Sequence, residues 1–373
     1  MRDLLVTTHT PMLRSGRAMR TYAVARALSA RGGLDLLYLR FEGEQPDAAF
    51  NAIAGVHMHG IDSSRGPRRL LAYAHGRRAG VPQAIARGIS PDLAAAARAL
   101  AARPERGRVV ADGPVAAATL ATLARRRPVI YNAHNFESGF RHELGGSRSG
   151  SPDDLRAFER DLLAGAAESW MVSDADIAAA RELCPTARLR YAPNVVDVAA
   201  IEPVEPLSQA RRAIFVANFA YEPNRDGLRF MLEEVLPRVW SELPDTKLTL
   251  VGAGLERPPS PDPRVETLGF VDDLSSAYAN ASCAVVPLLV GGGTPLKLIE
   301  ALAYGLPVIA TPRAVAGLTV SDGEHCVIAD SPEAYAAALA RILRDGDPSL
   351  GRRGRQLAAE RYSIETLTAL LAR

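Results

Sequence analysis

The chain has 373 residues, a length that suits two domains of ordinary size better than one core. With 47% hydrophobic and 23% charged residues, its composition is that of a soluble globular protein. The formal net charge of +2 excludes a general attraction for nucleic acids. Basic clusters at residues 65–69, 77–78 and 125–127 are expected to be solvated, and a weak contact with a membrane surface is the alternative.

The cysteines and the apolar runs indicate the compartment. Cys184, Cys283 and Cys326 are odd in number and far apart, so they provide neither a disulfide framework nor a metal-binding spacing. No apolar run reaches the roughly 18 residues of a membrane span. The N-terminus enters a strand at residues 3–8 without the pattern of a signal peptide. We therefore expect a cytoplasmic protein.

Residues 1–200 predict a doubly wound α/β domain. A buried strand at residues 4–8, a loop containing Gly16, a helix at residues 18–31 and a strand at residues 34–40 form the opening unit of a parallel sheet. Further strands are predicted at residues 56–61, 108–112, 128–132 and 169–173. His134 follows one of these strands, at the edge of the sheet where parallel strands end and ligands bind.

Residues 201–373 predict a second domain of the same class. A proline-rich linker at residues 202–207 precedes a strand at residues 214–218, a helix at residues 226–243 and a strand at residues 247–251. The strand at residues 265–268 and the apolar runs at residues 283–287 and 308–311 extend the sheet. The C-terminal segment, residues 348–373, is predicted to be helical.

The stretch at residues 283–311 is the most informative one in the chain. An apolar strand, a glycine loop, a helix and a second apolar strand follow each other without a spare residue. Thr294 is predicted to be the helix N-cap and Pro295 the first helical residue. The free amides at this end, including that of Leu296, carry the positive end of the helix dipole. The corner therefore predicts a diphosphate site.

Two side chains of this helix, Lys297 and Glu300, lie one turn apart on one face with Tyr304. An ammonium beside a diphosphate and a carboxylate that accepts both hydroxyls of a ribose would serve one ligand. Lys247 and Lys297 are the only lysines among 44 Lys and Arg residues, which indicates that lysine was selected at 297. An ordinary exposed ion pair is the alternative.

The stretch resembles the donor-site signature of the retaining glycosyltransferases of family 4, which have the GT-B fold of two Rossmann-like domains facing each other across a cleft. The resemblance covers most of the chain. It implies that Glu300 binds the ribose of a nucleotide-sugar and that the loop before the helix holds its diphosphate. The loop residues are Gly292, Gly293, Thr294, Pro295 and Leu296.

The resemblance also implies roles elsewhere in the chain. Gly16 would face the donor phosphates, and residues 133–137, with His134, would lie on the acceptor side. Phe270 and Val271 would meet the nucleotide base through backbone groups. We add Gly252, which follows a strand, to the candidate donor contacts, although a glycine there also fits a simple turn. The last helix, about residues 355–373, would cross back to the N-terminal domain.

Two positions depart from the family pattern. The family usually has two glutamates eight residues apart, and the first would fall on Gly292, so its hold on the donor sugar is missing. It also usually has an arginine and a lysine six residues apart where this chain has Asn218 and Asn224. Lys297, with Arg225 or an N-terminal arginine, is then expected to balance the phosphate charge. A subgroup with Gly-Gly-Thr-x-Leu-Lys and Pro-Asn-x-Asp is similar to this chain.

The implied reaction is transfer of a sugar from a nucleotide-diphosphate-sugar to a hydroxyl of a saccharide, glycolipid or small metabolite, with retention of configuration. Because no carboxylate stands out as a nucleophile, we expect front-face substitution, with the helix amides and Lys297 stabilising the leaving diphosphate. His134 would orient the acceptor or the sugar, unless it is only structural. No cofactor or metal is expected, because capping of a helix by Asp174, with Asp176 in its first turn, explains the Asp-Ala-Asp sequence.

Three other readings remain open. A sugar-nucleotide epimerase would leave the sugar on its nucleotide, and a phosphorylase would carry coloured pyridoxal phosphate on Lys247 or Lys297. A non-catalytic binding module would bind a nucleotide-sugar without transfer or hydrolysis. The changes at Gly292, Asn218 and Asn224 motivate this last alternative.

Overall fold

The computed structural model describes residues 1–63, 66–138, 152–205, 211–291 and 294–372. The chain divides into two compact units. The first unit consists of Met1–Pro193 and Leu367–Arg373, and the second of Asn194–Thr366. No helix within the described ranges is both long enough and apolar enough to cross a lipid bilayer.

The first unit is built on a parallel sheet of seven strands in the order β3-β2-β1-β4-β5-β6-β7. The strands are β1 Arg2–Thr7, β2 Leu34–Arg40, β3 Val56–Asp62, β4 Arg106–Asp112, β5 Ile130–Asn132, β6 Glu168–Met171 and β7 Leu189–Tyr191. The helices are α1 Gly16–Ser29, α2 Ala48–Asn51, α3 Pro67–Arg78, α4 Gln83–Ala86, α5 Pro91–Ala101, α6 Pro114–Thr119, α7 Ala121–Ala124, α8 Pro152–Gly165 and α9 Asp174–Leu183.

Helix starts in this unit differ from the predicted ones because serines cap them. The hydroxyl of Ser15 accepts a hydrogen bond from the amide of Ala18, so α1 begins at Gly16 rather than at residue 18. The hydroxyl of Ser173 accepts from the amide of Asp176 at 3.0 Å. The prediction that Asp174 caps this helix is therefore wrong by one residue, although both aspartates do lie in its first turn.

The second unit contains a parallel sheet of six strands in the order β10-β9-β8-β11-β12-β13. The strands are β8 Arg212–Val216, β9 Lys247–Val251, β10 Val265–Gly269, β11 Cys283–Val286, β12 Val308–Ala310 and β13 Val327–Ile328. The helices are α10 Glu222–Phe230, α11 Leu236–Glu242, α12 Ser275–Ala279, α13 Leu296–Tyr304, α14 Pro312–Val315, α15 Pro332–Asp345 and α16 Pro348–Arg361, with a 3₁₀ turn at Val198–Ala200. The last helix, α17 Ile364–Ala372, begins in the second unit and ends in the first. The strand order reverses between β8 and β11, which is where sheets of this kind bind ligands.

The helix predicted at residues 226–243 is wrong in two respects. It begins at Glu222, with Pro223 in its first turn, and it is interrupted by a π-helical segment at Met231–Val235 before α11. Proline 237 lacks the amide that would continue an α-helical ladder, which explains the wider turn before it. The aromatic core beneath these helices contains Phe215, buried at the centre of the sheet.

The predicted C-terminal helix is divided at Tyr362. The amide of Val196 donates to the carbonyl of Tyr362 at 2.9 Å, between α16 and α17. The end of α17 packs in the first unit, where the guanidinium groups of Arg31 and Arg108 donate to the carbonyl of Leu371 at 2.6 and 2.9 Å. These arginines satisfy carbonyl groups that a helix end leaves free.

Candidate functional site

The predicted diphosphate corner lies at the β8/β11 switch point of the second unit. Helix α13 starts at Leu296 with Pro295 as its N-cap, so the prediction that Thr294 is the N-cap is wrong. The hydroxyl of Thr294 is engaged differently, because Nδ2 of Asn194 donates to it at 2.9 Å and to the Thr294 carbonyl at 3.0 Å. The helix ends as predicted, with Gly305 in the left-handed conformation at φ +81°. Gly292 and Gly293, two predicted phosphate contacts, lie outside the described residues.

Lys297 is half-buried beside neutral groups. Its ammonium donates to Oδ1 of Asn224 and lies 5.6 Å from the centre of the Phe215 ring. Burial lowers the pKa of Lys297 to about 7. In the described part of the chain, Lys297 forms no ion pair with Glu300 or with another carboxylate. The alternative expectation, that Lys297 and Glu300 form an ordinary exposed ion pair, is therefore wrong.

Glu300 is half-buried one turn further along α13. Burial raises the pKa of its carboxyl to about 7, against the opposing effect of a hydrogen bond from Tyr278. The rings of Tyr278 and Tyr304 stack with centroids 4.2 Å apart, which holds the Tyr278 hydroxyl in place. Burial thus shifts the pKa values of both Lys297 and Glu300 toward 7. Groups with such shifted pKa values are candidates for binding an ionic ligand.

The other candidate donor contacts lie around the ends of β8, β9 and β10. Asn218 is exposed, and its Oδ1 accepts from the amide of Ala220 at 3.0 Å. The amide of Gly252 donates to the carbonyl of Gly269 at 2.7 Å, and Phe270 and Val271 follow that glycine. Phe270 is 47% exposed. Arg225 lies on the exposed face of α10, where it pairs with Glu222.

In the first unit, a buried carboxylate connects two histidines. Asp112, at the end of β4, accepts at Oδ1 from Nδ2 of Asn132 at 2.7 Å and bonds Nε2 of His134 at 2.9 Å. Its Oδ2 accepts a hydrogen bond from the hydroxyl of Thr21 at 2.6 Å. The same Thr21 hydroxyl lies 3.4 Å from Nε2 of His9. Burial alone would raise the pKa of Asp112, but the charges and hydrogen bonds of its neighbours outweigh it and hold that pKa well below its usual value.

The imidazole of His134 lies against the backbone of Gly113. Gly113 has φ +85°, and an added Cβ would stand 2.7 Å from Cε1 of His134. Because Nε2 is bonded to Asp112, the other ring nitrogen, Nδ1, is the one available to a ligand. His9 is half-buried, and this burial lowers its pKa to about 4.

Of these three residues, only His134 was predicted from the sequence; its neighbours His9 and Asp112 were not. A signal was present, because His9 follows β1 and Asp112 ends β4, and the ends of adjacent parallel strands meet at one edge. Gly16 is the exposed first residue of α1, and Arg20, one turn later, is buried. Arg20 donates to Oδ1 of Asn132 at 2.6 Å and to the carbonyl of Ala192 at 3.0 Å. Among the described residues, no group of three or more His, Cys, Asp or Glu side chains could hold a metal ion.

Known proteins resemble this chain in both sequence and fold. Residues 210–345 match the family model described as glycosyl transferases group 1. A phosphatidyl-myo-inositol mannosyltransferase of Mycolicibacterium smegmatis is 30% identical over 195 residues, which cover 48% of this chain and 50% of the relative. The enzyme of the same name from Mycobacterium tuberculosis is 32% identical over 161 residues, covering 40% of this chain and 42% of the relative. The matches thus span about half the length, or less, of these curated relatives.

Solved structures match the whole chain in fold. Sucrose-phosphate synthase from Thermosynechococcus elongatus has a TM-score of 0.75 at 18% identity and covers 100% of this chain, with 98% of its own chain covered. TarM has a TM-score of 0.72 at 9% identity, with coverage of 100% and 98%. HepE from Anabaena, solved with UDP and glucose, has a TM-score of 0.69 at 14% identity, with coverage of 99% and 98%.

The solved structures show the fold of this chain, and the sequence matches show which family part of it resembles. The fold is that of the GT-B glycosyltransferases, with two Rossmann-like units, so the predicted fold class is confirmed. Residues 210–345 match the group 1 glycosyltransferases, so the resemblance inferred from the donor-site motif is confirmed. The matched region contains Asn224, Lys297 and Glu300.

Proposed function

We propose that this chain is a metal-independent glycosyltransferase, which moves a sugar from a nucleotide-diphosphate-sugar to an acceptor hydroxyl with retention of configuration. The observation that carries the proposal is the state of Lys297 and Glu300. Both are half-buried on one turn of the helix that begins at the β8/β11 switch point, and both have pKa values displaced toward neutrality by burial. The names of the mannosyltransferase relatives and of HepE with UDP support the same class of substrate.

The donor would bind the second unit through its charged groups. The free amides at the start of α13 and the ammonium of Lys297 would hold the diphosphate, which supplies the anion that Lys297 lacks among the described residues. The carboxylate of Glu300 would accept hydrogen bonds from two ribose hydroxyls. Phe270, Val271 and Gly252 would lie near the base, as the family resemblance implies.

The chemistry would depend on stabilising the leaving group. As the bond between the sugar and the diphosphate breaks, negative charge grows on the diphosphate, and fixed amide dipoles with Lys297 stabilise that charge. The leaving diphosphate would take the proton of the acceptor hydroxyl on the same face of the sugar, which retains the configuration. His134 would contact the acceptor or the sugar through Nδ1, while Asp112 fixes its ring.

The acceptor-binding part is proposed to be the first unit, which also has a surface suited to anionic lipids. Helix α3 contains no acidic residue, and Leu70 and Leu71 are 71% and 70% exposed on it. Arg68 and Arg78 are exposed on the same helix. A basic helix with exposed leucines fits a peripheral contact with a membrane, and hence a lipid-linked acceptor. Sedimentation with anionic and with neutral vesicles tests this membrane contact. The protein is expected to bind anionic vesicles, and Leu70→Ser/Leu71→Ser should abolish that binding. If the protein sediments with neither kind of vesicle, the membrane contact is contradicted.

The reaction class is tested by incubating the chain with UDP- and GDP-sugars and following the fate of the sugar. Release of nucleoside diphosphate, faster with an acceptor, is expected, with an α-linked product from an α-linked donor. A changed sugar still attached to its nucleotide would instead establish an epimerase. Binding without release under all conditions would leave a binding module.

The buried, free cysteines Cys184, Cys283 and Cys326 support the proposed cytoplasmic location.

A further inference from the structure

Asn224 connects the end of β8 to the candidate donor helix. It lies on α10, is only 5% exposed, and both ends of its side-chain amide are bonded. Nδ2 donates to the backbone carbonyl of Asn218 at 2.7 Å, and Oδ1 accepts from the ammonium of Lys297. Because the Asn218 oxygen can only accept, the amide has one satisfied orientation, with its oxygen toward Lys297.

The position of Asn224 is fixed by close packing of its helix. Gly227, one turn further on the same side of α10, lies so near the end of β11 that an added Cβ would collide with the carbonyl oxygen of Pro287. Only glycine permits this approach, which places Asn224 beside the start of α13. The Phe215 ring from β8 lies on another side of the ammonium.

We propose that Asn224 is a positioning residue, which aims the ammonium of Lys297 at the donor diphosphate without neutralising it. The proposal rests on the proposed function, and it gives a physical reason for one departure from the family pattern. A lysine at position 224 would place a second ammonium against Lys297, whereas a carboxylate would compete with the diphosphate. A neutral acceptor amide does neither.

No charged group competes with the ligand for Lys297 in the described part of the chain. On α10, Glu222 pairs with Arg225, and Asp226 pairs with Arg229 on the exposed side. On α13 itself, Glu300 is bonded by Tyr278. Phe215 and Asn224, which face the ammonium, are both uncharged. Binding of an anion should therefore raise the pKa of Lys297 from about 7 and draw a proton from solution near neutral pH.

The lysine content of the chain allows a direct test that does not need activity. When lysine is isotopically labelled for NMR, only Lys247 and Lys297 give signals. In the Lys247→Arg variant, the signal of Lys297 is the one that remains. We expect a titration of Lys297 near pH 7 that moves upward when inorganic pyrophosphate is added. Asn224→Asp should move it upward already in the free protein, since the new carboxylate pairs with the ammonium. A midpoint that Asn224→Asp leaves unchanged would overturn the positioning contact.

A double-mutant cycle then tests the catalytic consequence. Asn224→Ala should lower kcat by about tenfold, and the Asn224→Ala/Lys297→Met variant should be no worse than Lys297→Met alone, because Asn224 acts through Lys297. The matched control is Asn280→Ala, which removes an exposed amide that donates to the carbonyl of Ser276 and should keep full activity. Additive losses would overturn the proposal. If no nucleotide-sugar is turned over but the Lys297 signal still responds to Asn224→Asp, the proposed function fails while the positioning contact stands.

Discussion

Asn194 and Thr294 are joined by two hydrogen bonds from a single amide group. Nδ2 of Asn194 donates to the carbonyl oxygen of Thr294 at 3.0 Å and to its hydroxyl oxygen at 2.9 Å, and both residues are buried. Thr294 immediately precedes the N-cap of α13. The pair therefore fixes the backbone at the point where the amides proposed to hold the diphosphate begin.

Asn194→Ala should weaken the binding of nucleoside diphosphates by about 1–3 kcal/mol, because the buried oxygens of Thr294 lose their donor and the loop before the helix loses its anchor. Calorimetric titration with UDP and GDP measures this loss. The exposed Asn280→Ala variant provides the control. An affinity equal to that of the unaltered protein would show that the Asn194–Thr294 pair has no part in the donor site.

The stability of the ligand-free protein should depend on pH through Lys297. Its pKa is about 7 in the folded protein against an ordinary 10.5. Between these values the unfolded chain holds a proton that the folded one lacks, so the free energy of unfolding rises with pH by up to about 1.4 kcal/mol per unit. Urea unfolding at several pH values should show that Lys297→Met loses this slope. Glu300→Gln should keep it, since the raised pKa of Glu300 acts at lower pH, between its ordinary 4.5 and about 7. Equal slopes in Lys297→Met and the unaltered protein would contradict the burial of a neutral lysine.

His134 can be tested by removing its ring and by displacing it. His134→Ala should lower transfer at least about tenfold while leaving nucleoside diphosphate affinity nearly unchanged. Gly113→Ala keeps the ring but should displace it, because the added methyl group would stand 2.7 Å from Cε1 at a residue with positive φ, so transfer should fall in the same way. Unaltered transfer in His134→Ala would make it a structural residue, with melting temperature as the accompanying measurement.

Turnover should survive EDTA, because in the proposed mechanism helix amides and a lysine balance the charge of the diphosphate in place of a metal cation. The assay is transfer with and without chelator, followed by addition of Mg²⁺ or Mn²⁺. Loss of turnover with EDTA and its return with either cation would direct attention back to Asp174 and Asp176 in the first turn of α9.

Local patterns were sufficient to predict the elements around the donor helix. An apolar run marks β11, glycines and a proline mark the turn, and Gly305 marks the end of α13, all within about two dozen residues. The rarity of lysine in the chain singles out position 297 on this helix. The π-helical interruption of the helix at Met231–Val235 could also be predicted from Pro237, which the helix predicted at residues 226–243 does not take into account.

Contacts between distant residues could not be predicted in this way. The partner of Thr294 is 100 positions away in sequence, so no local pattern could show that its hydroxyl accepts a hydrogen bond from Asn194. The bonds of Asp112 to Thr21 and His134 likewise depend on strand order, which no local pattern specifies. From the sequence, Asn224 shows only that the lysine usual in the family is absent at this position. Its hydrogen bond to Lys297 is formed in the folded unit and has no local signal in the sequence.

Helix α13 is proposed to bind the donor through Glu300 and Lys297 in different ways. Nucleoside diphosphate affinity and turnover, compared in Glu300→Gln and Lys297→Met, test this difference. Glu300→Gln should weaken nucleoside diphosphate binding by roughly 1.5–3 kcal/mol, since it removes charge-assisted bonds to the ribose. Lys297→Met should lower turnover more than binding, since the charge it stabilises grows as the glycosidic bond breaks. Equal effects of the two changes on both quantities would contradict this division of roles, and no effect from either would remove the donor site from the helix.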